Sequence, residues 1–284
     1  MANYILSAFA DEAGATLEEQ IAALQRNNIK YMEIRSVNGM NISDTPLKQV
    51  AEYKKQLDAA GIKVMTIGSP IGKVGLQDDY EQHIAKFLHT LGVARILEAK
   101  RIRMFSIFTE EHEKYEDVIF AKMEEMLDIA EGTGVTLYHE NEKGIYGDTD
   151  ERVLRLVDEF AGRMEFIFDP ANFIQCGVNP ADAYKKLREE IGYFHIKDAL
   201  AKSGEVVPAG AGDGHIGDIL ADYAADHENV MLTVEPHLKS FAGLKDHTSM
   251  KEVPTNIYKD NNESFDVAVA ALKNILEERG LSYE

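Results

Sequence analysis

"VTLYHENEKG", residues 135–144, decides the fold. Val135, Thr136, Leu137 and Tyr138 form a β-prone run that reads as a buried strand. It stops at five polar residues, His139-Glu140-Asn141-Glu142-Lys143. A buried strand that ends in a cluster of titratable groups is the pattern of a parallel sheet whose strand ends carry the chemistry. Similar runs elsewhere predict strands at Tyr4–Phe9, Tyr31–Arg35, Lys63–Ile67, Arg101–Ile107, Val135–Glu140, Met164–Asp169, Tyr193–Lys197 and Val230–Glu235.

Helical patterns alternate with these strands. Thr16 and Glu19 make a capping box ahead of Leu17, Ile21 and Leu24. Thr45-Pro46 predicts a cap and a first-turn proline before Leu47, Val50, Tyr53 and Leu57, with Gly61 as the stop. Asn179-Pro180 repeats the start signal, and Phe265 to Arg279 reads as the last helix, apolar at Val267, Val269, Leu272, Ile275 and Leu276. Met123 and Met126 share a face with Leu127 and read as core. Eight strands and eight helices in strict alternation predict an α/β fold, a single (β/α)8 TIM barrel over 1–284. An open doubly wound sheet would place a glycine-rich turn after its first strand. Here Ala10-Asp11-Glu12-Ala13-Gly14 stands in that place.

The chain is strongly acidic, with a formal net charge of −19. That argues against nucleic acid as a partner, because phosphate binding draws on Lys and Arg. The one cysteine, Cys176, rules out an intramolecular disulfide. No apolar run approaches a membrane span, and Met1 to Leu6 lacks the features of a signal peptide, so a cytoplasmic protein is expected.

In a closed barrel the C-terminal strand ends face one mouth. Side chains alternate along a strand, so Glu140, Asp169, His195 and Glu235, from the fifth to eighth strands, can all point inward. Three carboxylates brought that close repel one another unless a counter-charge is present. A divalent cation supplies it: oxygen-rich ligands with one nitrogen suit Mn²⁺ or Mg²⁺ first, with Zn²⁺ and Co²⁺ as alternatives. Adjacent strand residues face opposite ways, so His139 and Glu140 cannot both be ligands. Lys197 faces the same side as His195 and is a candidate for holding a substrate oxygen; Asp198 faces outward. Lys73 and Arg35 are candidate anchors for a phosphate or carboxylate, the alternative being solvated surface charge. Glu142, Lys143 and Tyr146 are placed for substrate contact. His83, His89 and His112 read as structural or solvated. The segment 237–262 is long for a barrel connection and is expected to be a lid or a contact in a homo-oligomer.

"HEN" at 139–141, "FDPAN" at 168–172, "FHIKD" at 194–198, "GAGDG" at 210–214 and "VEP" at 234–236, in this order and spacing, resemble the xylose-isomerase-like barrel enzymes. That superfamily takes in sugar and sugar-phosphate isomerases, ketose 3-epimerases, inosose dehydratases and, more distantly, endonuclease IV of AP endonuclease family 2. The resemblance implies that Glu140, Asp169, His195 and Glu235 are metal ligands and that Asn172 lies near metal or substrate. It also implies that Glu140 and Glu235 move protons on opposite faces of a sugar through a metal-stabilised enediolate. The ketose 3-epimerases carry an arginine a few residues beyond the seventh-strand histidine; here Asp198-Ala199-Leu200-Ala201-Lys202 has none. The expected activity is therefore a metal-dependent sugar or sugar-phosphate isomerase or epimerase. The alternatives are an inosose-dehydratase-like lyase on the same site and a non-catalytic sugar-binding barrel. A repair nuclease would use further metal-binding histidines; the pair Asp213 and His215 reads instead as a helix cap with a first-turn histidine.

Overall fold

The computed structural model describes residues 3–241 and 257–284. Eight parallel strands form one sheet: β1 (Tyr4–Ala8), β2 (Tyr31–Ile34), β3 (Lys63–Ile71), β4 (Arg101–Met104), β5 (Thr136–Glu140), β6 (Met164–Phe168), β7 (Ile191–Ile196) and β8 (Val230–Val234). Each pairs with its sequence neighbour from β2 to β8, and β8 returns to β1, so the sheet curls into a nearly closed (β/α)8 barrel. Nine α-helices lie among the described residues: α1 (Leu17–Arg26), α2 (Leu47–Ala60), α3 (Tyr80–Leu97), α4 (Glu116–Ala130), α5 (Asp150–Glu159), α6 (Pro170–Gln175), α7 (Pro180–Leu187), α8 (Ile216–Tyr223) and α9 (Asn261–Glu278). The ninth arises because the β6–β7 connection holds two helices, and the first is capped by Asp169 itself, whose carboxylate accepts from the Asn172 amide.

The barrel's seam lies between β1 and β2. The edge of β1 away from β8 is taken by residues 282–284: the amides of Tyr4 and Leu6 donate to the carbonyls of Ser282 and Glu284 at 3.1 and 2.8 Å, and the Glu284 amide donates to Tyr4 at 3.0 Å. Deleting residues 282–284 is expected to lower the melting temperature by several degrees, since three backbone hydrogen bonds at about 1 kcal/mol each are lost from a core strand. Thermal unfolding followed by circular dichroism checks this; an unchanged midpoint would mean that the seam closes without them.

The main apolar core fills the space between strands and helices, where Met123 and Met126 are fully buried. Ile167, Tyr193 and Met231 plug the barrel interior. Local signals hold with some displacement. The Thr16–Glu19 capping box forms in both directions, Gly61 ends α2 in the left-handed region, and Asn179 caps α7 ahead of Pro180. Pro46 stands at the N-cap of α2 and not in its first turn, because the Thr45 hydroxyl turns back to the Asn41 carbonyl at 3.1 Å. Helix α9 begins four residues before Phe265, capped by Asp260. Strand β3 runs on to Ile71 through a shift in pairing that lets Ile71 meet Met104, whereas β4 ends at Met104 and the chain turns at Ile107, φ +58°. No helix among the described residues is long and apolar enough to cross a membrane. Residues 242–256 of the segment read as a lid or oligomer contact lie outside the described residues.

Candidate metal centre

Tyr138 and Glu140 on β5, Ile167 on β6 with Asp169 directly after that strand, His195 on β7 with Lys197 directly after that strand, and Thr233 on β8 with Glu235 directly after that strand share the inward phase of their strands. They gather at the C-terminal mouth, as the alternation predicts. Glu140, Asp169, His195 and Glu235 are almost wholly buried, and one ligand atom from each lies within 4.8 Å of all the others.

The hydrogen bonds show which atom each side chain turns inward. Glu140 Oε2 accepts from Arg103 Nη1 at 3.0 Å, while Oε1 lies 3.0 Å from His195 Nδ1 and 3.2 Å from Asn172 Nδ2. Glu235 Oε1 accepts from Arg35 Nη1 at 3.1 Å, while Oε2 lies 3.7 Å from His195 Nδ1. Asp169 Oδ1 accepts from the Asn172 amide at 2.9 Å, leaving Oδ2 to face inward. His195 turns Nε2 to Glu33 Oε2 at 3.1 Å, and Glu33 also accepts from the Thr233 and Tyr193 hydroxyls. An imidazole held by a carboxylate on one nitrogen, with the other nitrogen turned to the ligand cluster, is the usual setting of a metal-binding histidine. The inward set is Glu140 Oε1, His195 Nδ1, Glu235 Oε2 and Asp169 Oδ2. Ligands at about 2.1 Å from one ion stand roughly 3.0 Å apart when adjacent and about 4.2 Å when opposite. The two distances from His195 Nδ1, 3.0 Å to Glu140 Oε1 and 3.7 Å to Glu235 Oε2, fall within that range, and the whole set lies within 4.8 Å.

The charge balance points the same way. Asp11, Glu12, Glu33, Glu140, Asp169 and Glu235 are buried together with Arg35, Arg103 and Lys197. With His195 neutral, as a metal ligand must be on its ligating nitrogen, the carboxylates outnumber the cations by three if all are ionised. Burial pushes Glu12 up to about 8 despite Arg35, and a dication would offset two of the three excess negative charges. Burial likewise pushes Asp169 up to about 7, with Lys197 opposing. Burial would raise Glu140, but His195 and Arg103 hold it down at about 2. Burial would lower His195, but Glu140 and Glu33 hold its proton and set it at about 10.

Asn172 is in the cluster, bonded to Glu140 Oε1 and to the Asn141 carbonyl at 2.8 Å. Lys197 is inward but rests on protein carboxylates: its Nζ lies 2.8 Å from Asp169 Oδ2 and 3.0 Å from Glu235 Oε2. Arg35 is buried, not a solvated surface charge. It bridges Asp11, Glu12 and Glu235 and is stacked between Phe9 and Phe241 at 4.4 and 4.6 Å. Lys73 lies at the mouth beside Glu142 at 2.8 Å and over the Phe105 ring. Tyr146 turns away from the mouth, its hydroxyl bonded to Glu116. His139 faces the helix layer, bonded to Ser106 at 2.9 Å. His83 and His89 hold the Gly72 amide and the Thr45 carbonyl, both at 2.9 Å. His215 is exposed in the left-handed region as the N-cap of α8, and Asp213 accepts from the Ala201 amide and not from the helix. Asp198 faces away from the barrel axis and takes four backbone N–H groups, from Ala199, Gly210, Gly212 and Gly214, at 2.8–3.1 Å. It thereby folds the "GAGDG" loop around itself. A Cβ on Gly212 or Gly214 would stand 2.4 or 2.6 Å from its Oδ1.

Glu33, Arg103, Asp11, Glu12 and Phe9 also build the site, beyond the residues that the sequence pattern points to. Phe9 carries both guanidinium groups, with Arg35 at 4.4 Å and Arg103 at 5.0 Å, and meets the His195 ring edge-on. Gly68 makes room for it: a Cβ there would be 2.6 Å from the Phe9 ring. Glu12, Glu235 and His237 form a second group of close donors. Arg35 already sits within 3.1 Å of both carboxylates there, so their charge is met.

A (β/α)8 barrel with a buried imidazole and three carboxylates converging at its C-terminal mouth is the scaffold of a divalent-metal site. The chain belongs to the xylose isomerase-like TIM barrel family, whose sequence profile it matches over residues 21–220. No curated protein matches it in sequence. Among solved structures it is similar to the IolI protein with a bound zinc atom, at 17% identity and a TM-score of 0.72, covering 98% of this chain and 99% of that one. It is similar to L-ribulose 3-epimerase at 18% identity and 0.68, covering 99% and 96%. It is also similar to the probable 3-DHS dehydratase AsbF of petrobactin synthesis from Bacillus anthracis, at 14% and 0.70, covering 96% and 99%. At these identities the likeness establishes the fold.

Proposed function

We propose that the protein is a divalent-metal-dependent enzyme that isomerises or epimerises a small sugar or sugar phosphate by moving a proton at a carbon beside a carbonyl. One observation carries this reading: Glu140 and Glu235 approach the cluster from β5 and β8, each pinned by its own arginine. Arg103 holds Glu140 and Arg35 holds Glu235 through one oxygen, so each keeps the other oxygen inward. Two fixed carboxylates reaching one reaction centre from different sides are what proton removal and return require. A divalent ion held by Glu140, Asp169, His195 and Glu235, with Mn²⁺ or Mg²⁺ favoured by the oxygen-rich donors and Zn²⁺ or Co²⁺ as alternatives, supplies Lewis acidity that makes the substrate C–H more acidic. Burial in a low-dielectric cavity strengthens each of these electrostatic contacts. Asn172 steadies Glu140 on its inner oxygen. Lys73 at the rim anchors a polar or phosphorylated end of the substrate.

A second reading is favoured by Lys197. Its ammonium beside Glu235 puts a proton donor where a departing hydroxyl would need one, which is the requirement of a dehydratase. Incubation with ketoses, inososes and sugar phosphates in deuterated water, with Mn²⁺ supplied, tests both. Deuterium at carbon without loss of water is expected. A dehydrated product would favour the lyase, and no incorporation across the panel would overturn both. Chelation followed by dialysis is expected to reduce turnover by at least about a hundredfold, and Mn²⁺ is expected to restore it.

A further inference from the structure

Lys197 competes for the atoms the metal needs. Asp169 Oδ1 is committed to the Asn172 amide and Glu235 Oε1 to Arg35, so each carboxylate has one oxygen left. The Lys197 ammonium touches both of those oxygens, at 2.8 and 3.0 Å, from a side chain that is itself 4% exposed. These are two of the four inward donors of the cluster. An ammonium and a dication that share two oxygens oppose each other in either arrangement. If the ion displaces the ammonium, two buried ion pairs are broken. If both stay, like charges face each other in a low-dielectric cavity and the lysine draws electron density from the ligand oxygens.

We infer that Lys197 is a positioning residue that holds down the affinity of this cluster for its divalent ion, making the ion exchangeable and not permanently bound. This rests on the reading of the cluster as a metal centre. Lys197 supports two carboxylates when no ion is there to do so, and the binding energy of the ion is reduced by the loss or strain of those contacts.

The test is Mn²⁺ binding to the full chain after chelation, by calorimetry and equilibrium dialysis, with wild type, Lys197→Met and Lys197→Arg. Lys197→Met is expected to bind Mn²⁺ at least about tenfold tighter than wild type. Its melting temperature should be lower than wild type without Mn²⁺, and should rise on Mn²⁺ addition by more than wild type does. Lys197→Arg, which keeps the charge, is expected to show no such gain. A loss of folding alone would weaken binding, so a gain in affinity separates competition from a purely structural role. Should Lys197→Met not fold, Lys197→Gln, which keeps an amide donor without the charge, is read by the same criterion. Equal or weaker binding by the neutral variant would overturn the inference while leaving the metal centre intact. No binding of Mn²⁺, Mg²⁺, Zn²⁺ or Co²⁺ by wild type or variant would overturn the metal centre and the inference together.

Discussion

Glu140→Gln is expected to lower deuterium exchange into substrate by about a thousandfold while the barrel stays folded. The amide has the size of the carboxylate and can still accept the Arg103 hydrogen bond, which now measures 3.0 Å. It cannot take up a proton from carbon, and it removes one of the three negative charges gathered around the donor cluster, so metal affinity falls as well. The same argument applies to Glu235→Gln, where Arg35 retains an acceptor. Measuring metal content beside the exchange rate separates the two effects. A Glu140→Gln protein that holds its metal and exchanges within about tenfold of wild type would remove Glu140 from proton transfer.

Asp198→Ala is expected to lower stability strongly although the residue lies outside the cluster. One carboxylate satisfies four backbone N–H groups, three of them from glycines of the 210–214 loop. Charged hydrogen bonds contribute more than neutral ones, and the two buried donors, Ala199 and Gly214, would be left without partners at the full desolvation penalty, whereas Gly210 and Gly212 can turn to water. A loss of about 3–5 kcal/mol, or a melting temperature lower by roughly 10 °C, follows. The loop also packs on Pro170, whose Cβ would be 3.2 Å from a Cβ on Gly214, and Pro170 directly follows Asp169. Slackening of the loop should therefore weaken metal binding too. A midpoint within about 2 °C of wild type would show that the loop holds its shape without the carboxylate.

The contrast between what the sequence displays and what it hides has a physical origin. Strand positions are legible because each strand is buried on both faces and set off by glycines and caps. The inward phase of Glu140, Asp169, His195 and Glu235 then follows from alternation alone. Strand ends are less legible where pairing shifts, as between Ile67 and Ile71, since a bulge changes which residue is last. Glu33 was visible as a carboxylate in the middle of a buried strand, which should have marked it as paired. Arg103 follows Arg101 by two residues and so shares its face, but sequence does not show that this is the inside. Asp11 and Glu12 lie in a short turn, Ala10–Glu12, and only closure of the barrel brings them to Arg35. For Lys197 and Arg35 the facing direction is readable from alternation, while their partners come from strands distant in sequence. A long cation inside a barrel mouth finds the nearest carboxylates, and those are the cluster's own.

Four side chains, carried by or directly after β5 to β8, are expected to converge on one divalent ion. Anomalous diffraction from crystals grown with Mn²⁺ tests it most directly. The expected result is a single strong peak within about 2.0–2.4 Å of Glu140 Oε1, Asp169 Oδ2, His195 Nδ1 and Glu235 Oε2. No peak at this position at saturating Mn²⁺, or a peak elsewhere with these four side chains still bonded only to Arg103, Asn172, Glu33, Lys197 and Arg35, would contradict it.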